Sequence, residues 1–235
     1  MASCSSTKLV VVFAYLVLLT FSDNLVTGES DNVKLNLYYE SLCPGCQDFI
    51  VHYLVKVFDS DLYTITDVKL VPFGNAKVSK NLTVTCQHGE EECKLNALEA
   101  CGIRTFTDPK SHYWFIRCVE NDTKHWESCV KNYGFEKYIY DCYNGDISKE
   151  LILEYAKQTM SLKPPHEYVP WVTLNGKPLD DSVQSLDDFV AQICKAYKGK
   201  APLPKLCDSS VLMPKSPKRK VPKLQVSYAD KAINN

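Results

Sequence analysis

The first pattern along the chain is an unbroken apolar run at residues 9–19, preceded by Lys8 and closed by the polar Thr20 and Ser22. It falls short of the ~20 residues a membrane-spanning helix needs. Its basic start, apolar centre and small-residue exit predict a secretory signal peptide, residues 1–28. From residue 33 a different rhythm begins. Val33, Leu35, Leu37 and Tyr39 alternate with Lys34 and Asn36, the period of a half-buried strand. Phe49, Ile50, Tyr53, Leu54, Val57 and Phe58 then recur at helical spacing, and residues 68–73 read as a second strand. The far end carries a short strand at 171–174, an Asn175-Gly176 hairpin signal and the start of another strand. A final helix follows, with Val183, Leu186, Phe189, Val190, Ile193 and Tyr197 as its apolar face and Asp181 or Ser182 as its cap. Between the halves, residues of about 74–169 hold several helical patterns. The longest runs from Asp146, a candidate N-cap, through Leu151, Ile152, Tyr155, Ala156 and Thr159.

Beyond Cys207 the periodicity vanishes. Residues 198–235 contain nine Lys/Arg, two Asp and five of the twelve prolines. This tail is expected to be disordered, because it cannot bury enough apolar surface to offset its chain entropy. It is also basic enough to associate with the acidic remainder of the chain. Behind a signal peptide, its Lys-rich run at 215–223 does not read as a nucleic-acid patch, and the whole-chain charge of −1 gives no reason to expect one. Two N-x-S/T sequons, at Asn81 and Asn121, are candidate glycosylation sites on the secretory route.

Eleven cysteines among 235 residues are too many for an average cytosolic enzyme. Cys4 leaves with the signal peptide, and the remaining ten are an even number in an oxidising compartment. Two stand apart. Cys43-Pro44-Gly45-Cys46 sits where the first strand gives way to the first helix, with Pro44 at an early helical position that has no use for an N–H. Thiol–disulfide exchange needs a thiolate, and the free N–H groups and positive dipole end of a helix favour that anion. Cys43 is thus the candidate nucleophile, and Cys46, a turn further in, the resolving thiol. A zinc half-site would need a second pair at ligand spacing, which the chain lacks. The order strand, helix, strand, hairpin and last helix is that of a thioredoxin-like α/β fold, here with a mainly helical, disulfide-rich insertion forming a lid. In that fold a cis-proline before the third strand faces the CxxC, and its predecessor pairs with an extended substrate. Val169 and Pro170 occupy that place.

The densest stretch, C-Q-H-G-x2-E-C-x2-N-x4-C at residues 86–101, is helical after Glu90. Cys93 and Cys101 would lie about 12 Å apart along that helix, beyond the ~7 Å a disulfide allows, so each should bond elsewhere. Cys194 and Cys207 are near enough in sequence to pair. Cys86 with His88 could suggest a metal site, but every sulfur has a prospective disulfide partner and no metal is expected. His88 is either a solvent-facing loop residue or a group that tunes the nucleophile.

The CxxC, the 86–101 signature and the stretch 164–172 followed by Asn175-Gly176 resemble the gamma-interferon-inducible lysosomal thiol reductase family, over roughly residues 33–207. The resemblance implies a soluble thioredoxin-like enzyme, residues 29–197, that reduces protein disulfides with Cys43 and Cys46, often at acidic pH, in lysosomes or after secretion. It implies too that the chain is glycosylated and trimmed. No bound cofactor is expected, an external small thiol such as cysteine or glutathione supplying electrons. The expected partners are disulfide-containing proteins, without nucleic acid or stable membrane insertion. An isomerase or oxidase, or a non-catalytic disulfide-rich binding protein, are the alternatives.

Overall fold

A computed structural model describes residues 31–180, 183, 185–208 and 227–228. The expected signal peptide, the expected caps Asp181 and Ser182, and most of the tail lie outside the described residues. The alternation at the start of the chain becomes strand β1 (Val33–Tyr39), which lies inside a four-stranded sheet of order β2-β1-β6-β7. β2 (Thr66–Pro72) runs parallel to β1 from Val33↔Thr66 to Tyr39↔Pro72, while β6 (Trp171–Leu174) runs antiparallel on the other side. Asn175 and Gly176 both take positive φ, 50° and 77°, and turn the chain into β7 (Lys177–Pro178). That is the backbone a two-residue hairpin of this hand demands.

The two faces of β1 bury different cores. Val33, Leu35, Leu37 and Tyr39 pack with Phe49, Ile50, Leu54, Phe58 and Phe189, whereas Tyr38 joins Val71, Phe73, Ile152, Tyr155 and Trp171 on the opposite side. The parallel crossover from β1 to β2 begins with helix α1 (Pro44–Asp48), winds through a π-helical stretch (Phe49–Leu54) and ends in α2 (Val55–Phe58). The last helix, α8 (Leu186–Ala196), lays Phe189 edge-on against Phe49 with ring centroids 5.2 Å apart. Its N-cap is Ser185, whose hydroxyl accepts from the Asp188 N–H.

Between β2 and β6 the chain forms the two-stranded ladder β3 (Lys77–Val78) and β4 (Val84–Thr85). Five helices follow: α3 (Glu90–Thr105), α4 (Pro109–Asn121), α5 (Trp126–Asn132), α6 (Glu136–Tyr143) and α7 (Asp146–Met160). Gly145 occupies the N-cap of α7 and Asp146 is already helical, one residue inside the expected boundary. Its carboxylate still sits in the first turn, where the helix dipole favours it.

Disulfides Cys86–Cys93, Cys101–Cys142 and Cys118–Cys129 tie this stretch, and Cys194–Cys207 ties α8 to a 3-10 turn (Lys205–Cys207). As the helical spacing requires, Cys93 and Cys101 each bond elsewhere. Order persists further along the tail than its composition suggests. Ser227–Tyr228 forms strand β8, paired antiparallel with β5 (Tyr168–Val169). Among the described residues no helix is long and apolar enough to cross a membrane.

Candidate active site

Cys43 and Cys46 are the free cysteines among the described residues, and both are fully buried. β1 delivers the chain to a tight loop in which Leu42 takes φ 65°, a left-handed conformation that costs a non-glycine residue about 1–2 kcal/mol. That turn sets Cys43 at the N-cap of α1, with Pro44 as the first helical residue. The Cys43 sulfur accepts the Cys46 N–H at 3.3 Å and lies 3.9 Å from the Val169 carbonyl oxygen. The Val169-Pro170 peptide bond is cis, so the expected substrate-pairing residues stand beside the expected nucleophile.

The two sulfurs are electrostatically unlike. Hydrogen bonding from the Cys46 thiol, helped by the Cys46 and Gly45 amides, holds Cys43 below the ordinary thiol range against the opposing effect of its own burial. Burial pushes Cys46 well above that range, and the proximity of Cys43 pushes it further. One turn of helix thus separates a sulfur that sheds its proton easily from one that keeps it.

Sequence reasoning missed the acidic groups around this pair. Glu40 is fully buried. Its Oε2 accepts the Asn75 N–H at 2.7 Å. Gly74, at φ 57°, makes room for that side chain, since a Cβ there would come within 2.3 Å of Glu40 Oε2. Burial, then the nearby Glu92 carboxyl, raises the Glu40 pKa to about 8. Glu92 is likewise buried and raised; its Oε2 accepts the His88 N–H at 2.7 Å and lies 2.5 Å from His88 Nδ1. The same imidazole nitrogen is 3.7 Å from Glu40 Oε1. Behind the loop, Glu99 and Glu120 are buried together, and burial with mutual repulsion raises Glu99 strongly, while burial raises Glu120.

Most positions of the 86–101 signature now have a physical reason. Cys86–Cys93 closes the loop onto the helix start. Gly89 adopts φ 90° at the N-cap of α3. Glu92 engages His88, and Asn96 Oδ1 accepts the Ser41 N–H at 2.9 Å, gripping the loop that presents Cys43. His88 faces solvent, as one of its two expected readings has it, while its ring engages Glu92; it is not a partner of Cys86 in a metal site, because Cys86 is disulfide-bonded. Among the described residues, Glu40, His88 and Glu92 are the group whose ligand atoms, all within 4.8 Å of one another, could hold a metal ion. Asn81 and Asn121 are both exposed.

A thioredoxin-like sheet with two unlike thiols at a helix start defines a protein built like the thiol–disulfide oxidoreductases. Solved structures agree on the fold. The oxidised BdbD of Bacillus subtilis superposes with TM-score 0.54 at 12% identity, covering 74% of this chain and 91% of that one. A putative protein disulfide isomerase from Nitrosomonas europaea gives 0.52 at 9% identity, covering 71% and 97%. The family model for gamma interferon inducible lysosomal thiol reductase matches residues 34–133. A gamma-interferon-responsive lysosomal thiol protein of Arabidopsis thaliana is 74% identical over the whole of both chains. The gamma-interferon-inducible lysosomal thiol reductase of Carassius auratus is 40% identical, covering 72% of this chain and 70% of its own. The chain belongs to the gamma interferon inducible lysosomal thiol reductase family.

Proposed function

We propose that this protein reduces disulfide bonds in proteins with Cys43 and Cys46. The observation that carries the reading is the opposite displacement of two free thiols one helical turn apart, in a chain whose other described cysteines are all bonded. The Cys43 thiolate attacks one sulfur of a substrate disulfide held against Val169 and Pro170. A Cys43–substrate bond forms, and the other substrate sulfur leaves as a thiolate that takes up a proton. Cys46 then gives up its proton and attacks the Cys43 sulfur. The first substrate sulfur departs, and the enzyme is left with a Cys43–Cys46 disulfide. Two molecules of a small thiol such as cysteine or glutathione, oxidised to their disulfide, restore the dithiol.

The acidic neighbours suit this chemistry to low pH. Below about pH 8 Glu40 carries its proton. A neutral carboxyl beside the sulfurs does not repel the Cys43 thiolate, whereas an ionised one would. Reduction in an acidic lysosomal or vacuolar lumen follows, reached through the secretory pathway after loss of residues 1–28, with glycans at Asn81 and Asn121. In the test, Cys43→Ser abolishes reduction of a denatured disulfide protein, and Cys46→Ser accumulates mixed disulfides resolvable on a non-reducing gel. Turnover that survives Cys43→Ser would refute the assignment.

A further inference from the structure

We infer that the peptide-binding edge beside Cys43 is a docking surface for this chain's own C-terminal segment, which sits where an extended substrate would lie. This builds on the reading of Cys43 as the nucleophile. Ser227 and Tyr228 pair antiparallel with the strand leading into Pro170, in the register Val169↔Ser227 and Tyr168↔Tyr228. Val169 is the residue whose carbonyl oxygen lies 3.9 Å from the Cys43 sulfur.

Side chains on the other flank complete the hold. Asn75 Nδ2 donates to the Ser227 carbonyl oxygen at 3.0 Å and to Gln87 Oε1 at 2.6 Å. The Ser227 hydroxyl donates to that same Gln87 oxygen at 3.0 Å. Asn75 and Gln87 flank the catalytic corner, since the Asn75 N–H binds Glu40 and Gln87 directly precedes His88. Strand pairing plus a clamp on a main-chain carbonyl reads an extended backbone, with selectivity left to the few side chains that face pockets. The occupant this edge accepts is therefore an extended peptide with a small hydroxylated residue opposite Val169. In the full-length chain residues 227–228 meet that description.

A tethered ligand of this kind faces its site at an effective concentration on the order of millimolar. Protein substrates compete with it, so the tail sets the apparent affinity for substrate without touching the chemistry.

The test uses the full-length chain with Ser227→Glu, which sets a carboxylate against Gln87 Oε1 and the acidic corner. For a denatured disulfide protein, KM falls about tenfold with kcat unchanged, as expected when a tethered competitor is lost. Alkylation of Cys43 by iodoacetamide, in a Cys46→Ser background, accelerates by a similar factor. Ser227→Ala, which loses only the hydroxyl, falls between the two. A synthetic peptide of residues 222–235 added to the Ser227→Glu protein restores the higher KM and slows alkylation, while the same peptide with Glu at position 227 does neither. Equal KM and equal alkylation rates in the parent and Ser227→Glu chains would overturn the inference, as would a peptide without effect. Alkylation needs no turnover, so a chain that fails to reduce disulfides but shows tail-dependent masking of Cys43 refutes the reductase reading alone.

Discussion

Helix α3 divides after Glu99 into a longer first half that buries polar side chains among apolar ones and a shorter second half that buries no polar ones. In the longer half Glu92, Asn96 and Glu99 are buried alongside Leu95 and Leu98, at a spacing that normally marks an apolar face. In the second half Cys101 is bonded to Cys142 and Gly102 sits under the Phe115 ring, where a Cβ would come within 2.2 Å of the aromatic edge. Phe115 continues into a cluster with Phe106 and Tyr133. The second half is built as a core is built, from apolar contact and a covalent tie. The first half accepts buried carboxyls, each a cost to folding that only protonation or a partner offsets. A helix that spends one half holding a sulfur loop in an acidic pocket is anchored by the other.

Breaking the anchor should have the largest effect on folding. Cys101→Ser with Cys142→Ser removes a crosslink of sequence separation 41 and should cost about 2–5 kcal/mol. Urea unfolding under non-reducing conditions would show it, while Cys43 alkylation in the folded protein stays at the parent rate. The acidic half should respond to pH instead. Glu40 rises from 4.5 to about 8, which at ~1.4 kcal/mol per unit is on the order of 5 kcal/mol for a group acting alone. Because its folded pKa exceeds the unfolded one, its proton stabilises the fold fully below pH 4.5. That advantage declines as the pH rises towards 8. Stability by urea unfolding should therefore drop between pH 5 and 8, and Glu40→Gln should remove much of the drop. An identical pH slope in the variant would show that the acidic corner does not store this energy.

The two halves differ as much in how readable they are. The strand, helix, strand and hairpin around the sulfurs follow from period and turn chemistry, because alternation and Asn175-Gly176 act locally. The CxxC and the separate bonding of Cys93 and Cys101 are legible for the same reason, since helical rise alone keeps those two apart. The buried acids are not legible. Glu90, Glu91 and Glu92 look alike in sequence, as acidic residues at the start of a helix. Only the fold buries Glu92 and leaves Glu90 and Glu91 in solvent. Glu40 likewise looks like loop polarity until Gly74 opens a space for it from the next strand's end. Strand β8 had no local signal at all. Its two residues gain a partner from β5, and that pairing is a tertiary event that composition cannot forecast. The start of α7 differs by one residue from the expectation because Asp146 resembles a cap, while Gly145 fills the position with its backbone alone.

Asn96→Ala separates the contribution of the sulfur loop from that of the acids. It leaves the buried Ser41 N–H without its acceptor, a loss of about 1–3 kcal/mol. Because Ser41 lies two residues before Cys43, alkylation of Cys43 should change as well.

The smallest effect makes the control. Ser185 lies outside both halves of α3, and its hydroxyl accepts the Asp188 N–H at 3.1 Å and donates to the Asp188 carboxylate at 2.7 Å. Ser185→Ala should cost about 1 kcal/mol, close to the lower end for Asn96→Ala, by loosening the start of α8. The two variants can thus be matched in stability while differing in what they touch. If Cys43 reactivity is set by the polar half of α3, only Asn96→Ala shifts the pH at which Cys43 is half-alkylated. If Ser185→Ala shifts it equally, reactivity follows global stability, and the division between the two halves of the helix has no bearing on the chemistry.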